Sequence, residues 1–353
     1  MLFFVSSCKK DSSGNQVIPS SSTPKQLGLY EADSSIYREL DIMVAKIGTQ
    51  AVDFNLVFDT GSGGMVIDAH GIVPSSMITD AGFSFSGDST VVDGITITNQ
   101  TSMVEYGDDN NTISKVYGNL AYANVTIGDS NGTIVVKRLP FFLYFKSVDG
   151  KGNPINPHEF DVMGVSSEYD ITFSNGVYIT SPFSYYNVGT SLKRGFKMAA
   201  LGAGNFSLSG TSVPDVITLG LTQSDLGNSG FKTTQLVFVG GQGYIPVISG
   251  SIGLVNDNVP AEMIFDTGTE PYTYIEDPNA PSGIFVLQPN NRVSIQTSTG
   301  FNYGYTVTAK DNLTVVENPN YSGSSISVIS LDFFLQNEYF LDFDDHVVGL
   351  KSN

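Results

Sequence analysis

Residues 55–64, NLVFDTGSGG, end an apolar, strand-like run in an acidic residue followed by small residues and glycines. Asp59 follows residues 56–58 directly, so we expect it at the buried end of a strand. An ionised carboxylate is costly there unless it is hydrogen-bonded, paired or used. The arrangement recurs 207 residues later in EMIFDTGT, residues 262–269, where Asp266 follows another apolar run. One such segment is good turn chemistry, whereas two indicate a duplicated site.

The composition indicates an acidic protein built from strands and turns. The 353 residues include 17 Lys and Arg against 35 Asp and Glu, a formal net charge of −18. This charge repels phosphate backbones, so nucleic acid is not expected as a partner. Only 15% of the residues are charged, and Gly, Ser, Thr, Asn, Tyr and Phe are abundant. Such a mixture favours short strands over amphipathic helices.

The predicted fold class is mostly β, in two lobes that each carry one Asp-Thr-Gly segment. A chain of this length can form two lobes with separate cores. Asn131 and Gly132 predict a two-residue hairpin turn, and residues 181–194 are the best candidate for a short helix. We divide the chain into residues 1–26, a signal segment and tether; 27–224, an N-terminal β lobe; and 225–353, a C-terminal β lobe.

The start of the chain contains its one cysteine, which excludes an intrachain disulfide. MLFFVSSC, residues 1–8, is similar to the lipobox of bacterial lipoproteins, in which the cysteine is lipidated, although its apolar run is short for a signal peptide. Residues 9–26 are rich in Ser and Pro and predict a flexible tether. We therefore predict an exported lipoprotein, periplasmic or at the cell surface, whose membrane contact is a lipid on Cys8.

Several further segments, in order, resemble the pepsin family of aspartic peptidases. IGTQAVDFNLVFDTGS, residues 47–62, is similar to the family's N-lobe entry, and residues 105–128 are similar to its flap hairpin, with Tyr106 at the flap tyrosine. FDVMGV, residues 160–165, resembles the segment that braces the first aspartate. The C-terminal strands of the family are matched by residues 329–350. The resemblance covers roughly residues 36–350.

The resemblance implies a bilobal fold with an active-site cleft between two β-rich lobes. It also implies an endopeptidase that acts on peptides or unfolded proteins, needs no cofactor or metal, binds a pepstatin-type inhibitor and is a monomer. Asp59 and Asp266 would share one proton, because two facing carboxylates cannot both ionise, and would act on a water as base and acid. The supporting positions are Thr60, Gly61, Ser62, Thr267, Gly268 and Thr269.

The resemblance also identifies residues that would contact substrate. Tyr106, Gly107 and Asp108 would form the flap that closes over bound peptide and excludes water. Glu270 follows the second Asp-Thr-Gly segment and is a candidate substrate-binding residue on the side of the groove that precedes the scissile bond. A carboxylate there would repel acidic substrate residues and favour basic ones.

An alternative of another class is a pepsin-fold binding or inhibitor module with weak or absent turnover. Three departures from the family pattern keep it open. The chain has no tryptophan, and Val66 lies where the family has the one that supports the flap tyrosine. Leu331 or its neighbour replaces the glycine of the second brace, and TEPYTY, residues 269–274, places Glu270 beside the cleft. Both intact aspartates and both threonines favour the enzyme.

Other chemistries have weaker support. His70, His158 and His346 lack the spacing of a zinc site or the context of a serine-protease histidine. YGDDNN and DFDDH contain carboxylates without the spacing of a calcium loop. We therefore expect no metal.

Overall fold

The computed structural model of the chain describes residues 23–33, 37–107, 113–227, 229–254 and 257–353. Strand accounts for 56% and helix for 8% of the chain. Within the described ranges, the strands form a 14-stranded sheet, an eight-stranded sheet and three two-stranded sheets. The predicted fold class, mostly β in two lobes, is confirmed. No helix in these ranges is long and apolar enough to span a membrane.

The first half of the chain contains the strand that leads into Asp59 and the strands around it. In chain order these are β1 (Lys25–Asp33), β2 (Arg38–Ile47), β3 (Gln50–Asp59), β4 (Gly63–Asp68), β5 (Ile78–Thr79), β6 (Gly82–Phe83), β7 (Ser89–Val92), β8 (Ile95–Tyr106), β9 (Ser114–Asp129), β10 (Gly132–Val148), β11 (Val162–Val165), β12 (Ile171–Thr172), β13 (Tyr178–Ile179), β14 (Lys193–Met198) and β15 (Thr211–Leu221).

The second half contains the strand that leads into Asp266. Its strands are β16 (Lys232–Gln235), β17 (Phe238–Val239), β18 (Gly243–Tyr244), β19 (Ile248–Leu254), β20 (Asp257–Phe265), β21 (Tyr272–Glu276), β22 (Ile284–Val286), β23 (Arg292–Thr297), β24 (Asn302–Thr306), β25 (Leu313–Glu317), β26 (Ile326–Ile329), β27 (Asn337–Asp342) and β28 (Val347–Ser352). The helices are short: α1 (Gln223–Gly227), α2 (Pro319–Ser322) and 3₁₀ turns at Ser75–Met77, Pro182–Tyr185, Ala203–Asn205 and Leu331–Leu335.

Each large sheet contains one of the two strands that lead into an Asp-Thr-Gly segment. The larger has the order β16-β28-β27-β14-β15-β1-β2-β3-β11-β4-β10-β9-β8-β7, and the smaller has the order β22-β25-β21-β26-β20-β19-β23-β24. After building the eight-stranded sheet, the chain returns to the 14-stranded sheet through β27 and β28. The division of the chain between residues 224 and 225 stays a prediction.

The two sheets repeat one arrangement around the paired segments. β3 pairs in parallel with β11, β11 pairs antiparallel with β4, and β4 pairs in parallel with β10. In the same way, β20 pairs in parallel with β26, β26 pairs antiparallel with β21, and β21 pairs in parallel with β25. The duplication indicated by the sequence is therefore present in the strand pairing.

Buried aromatic side chains fix the strand that leads into each aspartate. Phe58 is fully buried, and its ring centroid lies 6.1 Å from that of Phe196. Phe265 is buried against Phe333, with ring centroids 4.4 Å apart. Burial of one such side chain contributes about 2 kcal/mol. The backbone is thus held by apolar packing directly before it turns into each polar segment.

Two local predictions are corrected by the structure. Residues 181–194 contain a single 3₁₀ turn at Pro182–Tyr185 and the start of β14, in place of the predicted helix, because Phe183 packs into the core from an otherwise extended segment. The hairpin between β9 and β10 turns one residue earlier than predicted, at residues 130–131. There the N–H of Asn131 donates to Oδ1 of Asp129 at 2.8 Å and closes an Asx turn.

Cys8 and most of the tether lie outside the described residues. Lipidation of Cys8 and export of the protein therefore stay predictions.

Candidate active site

Asp59 is the last residue of β3 and lies opposite Gly164 of β11. The N–H of Gly61 donates to its Oδ1 at 2.7 Å, and the hydroxyl of Ser62 donates to its Oδ2 at 2.5 Å. A Cβ on Gly164 would lie 2.8 Å from Oγ of Ser62, so the brace glycine leaves room for this hydroxyl. These bonds fix the plane of the Asp59 carboxylate and favour its ionised form.

Asp266 follows β20 and has the same surroundings. Its N–H donates to the carbonyl of Ile329 at 2.8 Å, which ties the loop to β26. The N–H of Gly268 donates to its Oδ1 at 2.7 Å, and the hydroxyl of Thr269 donates to its Oδ2 at 2.5 Å. Asp266 therefore has the counterpart of each hydrogen bond made by Gly61 and Ser62 to Asp59.

Two buried threonines join the loops. The N–H of Thr60 donates to Oγ1 of Thr267, and the N–H of Thr267 donates to Oγ1 of Thr60, both at 3.0 Å. The Thr60 hydroxyl donates to the carbonyl of Phe265 at 2.8 Å, and the Thr267 hydroxyl donates to the carbonyl of Phe58 at 2.5 Å. Because both side chains are buried, these four bonds fix the separation of the loops, and loss of any one leaves a buried polar group unpaired.

Gly61 and Gly268 allow the loops to approach closely. A Cβ on Gly61 would lie 2.5 Å from Cγ of Asp266, and a Cβ on Gly268 would lie 2.9 Å from Cγ of Asp59. Each glycine thus packs against the carboxyl group of the opposite loop. A side chain at either position would push the two carboxyl groups out of place.

The two carboxyl groups are electrostatically coupled. Burial raises the pKa of Asp59 well above its ordinary range, and the charge of Asp266 and a hydrogen bond with its side chain raise it further. The bonds from Ser62 and Gly61 offset part of this rise. Such a pair holds one proton between its members over a wide pH range. One protonated and one ionised carboxyl group side by side can act on a bound water as acid and base.

Tyr106, at the end of β8, lies beside this pair. Burial raises the pKa of its hydroxyl, and the charge of Asp59 is the next contribution. Its ring stacks on Phe160, with centroids 5.1 Å apart and planes inclined by 13°. Gly107 follows with a φ of 115°, a conformation that favours glycine. Asp108 lies outside the described residues, so its place in a flap stays a prediction.

Phe160 is a candidate functional residue that the sequence analysis did not identify. Val66, which the sequence resemblance aligns with the family's tryptophan, is buried in the apolar cluster against which Phe160 and Tyr106 pack. The stacked ring of Phe160 therefore supplies an aromatic platform for Tyr106. The available indication was the aromatic residue that opens FDVMGV, which we interpreted only as a brace.

Glu270 is engaged by a cation that the sequence analysis did not identify. Nη2 of Arg38 lies 2.7 Å from Oε1 of Glu270, and Nε of Arg38 donates to Oε2 at 3.2 Å. Nη2 also donates to Oδ1 of Asp332 at 2.8 Å. The Glu270 side chain is 6% exposed, and its charge is compensated by Arg38. Contact with substrate stays a prediction.

A second pair of carboxyl groups, Glu168 and Asp170, lies near the first. The N–H of Gly63 donates to Oδ2 of Asp170 at 2.5 Å, one residue after Ser62. Burial, and then the charge of Asp170, raise the pKa of Glu168 to about 8, and Asp266 adds to the rise. The surroundings of Asp59 and Asp266 are thus acidic. Among the described residues, no group of three or more His, Cys, Asp or Glu side chains could hold a metal ion.

Comparison with known proteins identifies the fold. No protein-family model matches the chain, and no curated protein matches it. Among solved structures, the crystal structure of aspartic proteinase from Irpex lacteus matches with a TM-score of 0.60, over 94% of this chain and 97% of that chain, at 15% sequence identity. The chain therefore has the bilobal, mostly β fold of a pepsin-like aspartic proteinase.

Proposed function

We propose that this chain is an aspartic endopeptidase that hydrolyses peptide bonds with a water held between Asp59 and Asp266. The observation that supports this most directly is the matched pair of carboxyl groups, each fixed by two donors from its own loop and packed against the glycine of the other loop. A module that only binds peptide has no need of two coupled carboxyl groups in equivalent positions.

The proposed reaction uses the shared proton twice. The ionised carboxylate takes a proton from the water while the water oxygen attacks the peptide carbonyl carbon, and the protonated partner gives its proton to the carbonyl oxygen. This produces a neutral diol on the former carbonyl carbon. As the carbon–nitrogen bond breaks, the first carboxyl group gives its proton to the leaving nitrogen. A diol hydroxyl returns a proton to the second carboxyl group, so the pair again has one ionised and one protonated member.

The remaining residues hold this pair in place. Ser62 and Thr269 orient the carboxyl groups, while Thr60 and Thr267 fix their separation. Tyr106 would close over the peptide and reduce the access of water. Leu331, in place of a brace glycine, is accommodated: it is fully buried, and its N–H donates to the carbonyl of Thr269 at 3.2 Å.

The proposal is tested by incubating the purified chain with an unfolded, alkylated protein between about pH 3 and pH 7. We expect fragments in the mass spectrum, and no fragments when a pepstatin-type inhibitor is present. A double variant, Asp59→Asn with Asp266→Asn, purified in the same way, controls for a contaminating peptidase. Absence of fragments at every pH, or equal cleavage by the double variant, contradicts the proposal and favours a binding module.

Phe160→Ala is expected to lower kcat/KM about tenfold, because Tyr106 loses the ring on which it stacks. Steady-state cleavage of a fluorogenic peptide measures the effect. Phe160→Tyr keeps the aromatic surface and is expected to stay within about twofold of the wild type. Equal rates for the alanine variant and the wild type would show that Tyr106 does not depend on this platform.

A further inference from the structure

Arg38 connects the two large sheets at the second aspartate loop. It begins β2 of the 14-stranded sheet, and its guanidinium binds both oxygens of Glu270 and one oxygen of Asp332. Glu270 lies two residues before β21 and Asp332 three residues after β26, both of the eight-stranded sheet. The exposed fractions of the three side chains are 16% for Arg38, 6% for Glu270 and 5% for Asp332. We call these three residues the Arg38 cluster.

Both carboxylates of the Arg38 cluster adjoin the group that orients Asp266. Glu270 follows Thr269, whose hydroxyl donates to Oδ2 of Asp266. Asp332 follows Leu331, whose N–H donates to the Thr269 carbonyl. The planar guanidinium fixes both carboxylates through three donor contacts, a geometry that an ammonium group cannot reproduce. Arg38 therefore fixes the residue that follows Thr269 and the residue that follows Leu331, whose N–H donates to Thr269.

The two carboxylates differ in their dependence on Arg38. Asp332 also accepts the N–H of Asn312, at 2.6 Å. Within the described residues, the hydrogen bonds to the Glu270 side chain all come from Arg38. Without Arg38, two buried carboxylates lose their common cation, and burial of an uncompensated charge is strongly unfavourable. Glu270 would then turn away or take up a proton, and Thr269 would move with it.

A cavity of about 210 Å³ lies beside the Arg38 cluster. Arg38 and Glu270 line it together with Thr267 and Gly268 of the aspartate loop. Shortening Arg38 to alanine would enlarge this cavity, so that a free guanidinium ion could occupy the place of the missing side chain. The Arg38→Ala substitution thus removes the charged group, and added guanidinium restores it in the same protein.

We propose that Arg38 is a positioning residue: it fixes Glu270 and Asp332 and thereby holds the Thr269 hydroxyl against Asp266. The proposal rests on the function proposed above. Among the described residues, the hydrogen bonds of the Arg38 guanidinium go to Glu270 and Asp332 and not to Asp59 or Asp266, so its contribution is to the geometry of the loop. A displacement of about 1 Å of a reacting group lowers a rate about a hundredfold.

The kinetic test uses Arg38→Ala. We expect kcat to fall about 30- to 100-fold while KM changes less than about threefold, because the reacting geometry is lost and the groove is kept. Millimolar, non-denaturing guanidinium is expected to restore kcat about tenfold in this variant and to leave the wild type unchanged. Arg194→Ala removes an exposed arginine paired with Asp344, and we expect neither a loss nor a guanidinium response. An unchanged kcat in Arg38→Ala overturns the proposal.

A second measurement does not depend on activity. Hydrogen exchange at peptides covering residues 266–272 and 329–335 is expected to be about tenfold faster in Arg38→Ala, and guanidinium is expected to slow it again. Residues 196–198, within β14, serve as an internal reference. Faster exchange reversed by guanidinium, together with an inactive wild type, would reject the peptidase function while keeping the loop-holding role. Unchanged exchange overturns that role whatever the activity.

Arg38→Lys covers the case in which Arg38→Ala does not fold. A lysine keeps the charge but lacks the fork, so we expect kcat to fall about tenfold with KM nearly constant. Full activity of Arg38→Lys would reduce the role of Arg38 to charge compensation and overturn the positioning proposal.

Discussion

Asp59→Asn and Asp266→Asn, made separately, are each expected to lower kcat/KM at least about 1,000-fold while the chain still folds. Either change removes the shared proton site, because an amide neither ionises nor exchanges a proton in the working pH range. Asparagine has nearly the same shape as aspartate and keeps an oxygen that accepts the Gly61 or Gly268 N–H. The buried threonine pair is untouched, so the separation of the loops is kept.

Asp342→Asn provides a matched control for this experiment. Asp342 is also buried at the end of a strand, where it accepts the N–H groups of Asp344 and Asp345 at 2.8 and 3.0 Å. It has the structural features of a strand-terminal aspartate without belonging to the Asp59–Asp266 pair. We expect wild-type kcat/KM from this variant, while urea unfolding reports the stability of all three. Near-normal cleavage by Asp59→Asn or Asp266→Asn would contradict the assignment of the pair.

The paired aspartate loops could be anticipated because their chemistry is local. A carboxylate at the end of an apolar strand, followed by a small hydroxyl residue and a glycine, needs donors within a few residues. The structure supplies them at Gly61 and Ser62, and again at Gly268 and Thr269. Recurrence of the segment then indicated duplication, which the strand pairing of β3 and β20 confirms.

Contacts between distant parts of the chain could not be anticipated in this way. Arg38 and Glu270 are 232 residues apart, and neither segment carries a pattern that specifies its partner. Phe160 supports Tyr106 because the residues just before β11 reach the end of β8 in three dimensions, whereas the sequence shows only an aromatic residue before a brace. The helix predicted at residues 181–194 failed for a related reason: burial of Phe183 against Phe58 and Phe196 determines the local conformation there.

A buried glutamate gives the fold a pH dependence that is separate from catalysis. Glu31, in β1, is fully buried, and burial raises its pKa from 4.5 to about 7, with a smaller lowering by Asn205. The unfolded chain keeps the ordinary value. Between these two values the folded state therefore binds a proton that the unfolded state has released, and the free energy of unfolding falls as the pH rises. Asp41 on β2, with a pKa raised to about 7 by burial and by Glu39, acts in the same direction.

Glu31→Gln is expected to stabilise the protein at about pH 8 by about 3 kcal/mol and to leave its stability unchanged near pH 4. In the wild type, the contribution of Glu31 is neutral below pH 4.5 and reaches a loss of about 3 kcal/mol above pH 7, because each pKa unit corresponds to about 1.4 kcal/mol. Glutamine carries no charge at any of these values and avoids the loss. Urea unfolding followed by circular dichroism at about pH 4, 6 and 8 measures the difference.

Glu262→Gln, on the exposed side of β20, is the matched control, and its free energy of unfolding should follow that of the wild type at each pH. The outcome that contradicts this prediction is a difference in free energy of unfolding between the wild type and Glu31→Gln that is the same at about pH 4 and about pH 8. It would mean that the buried carboxyl group does not titrate between these pH values.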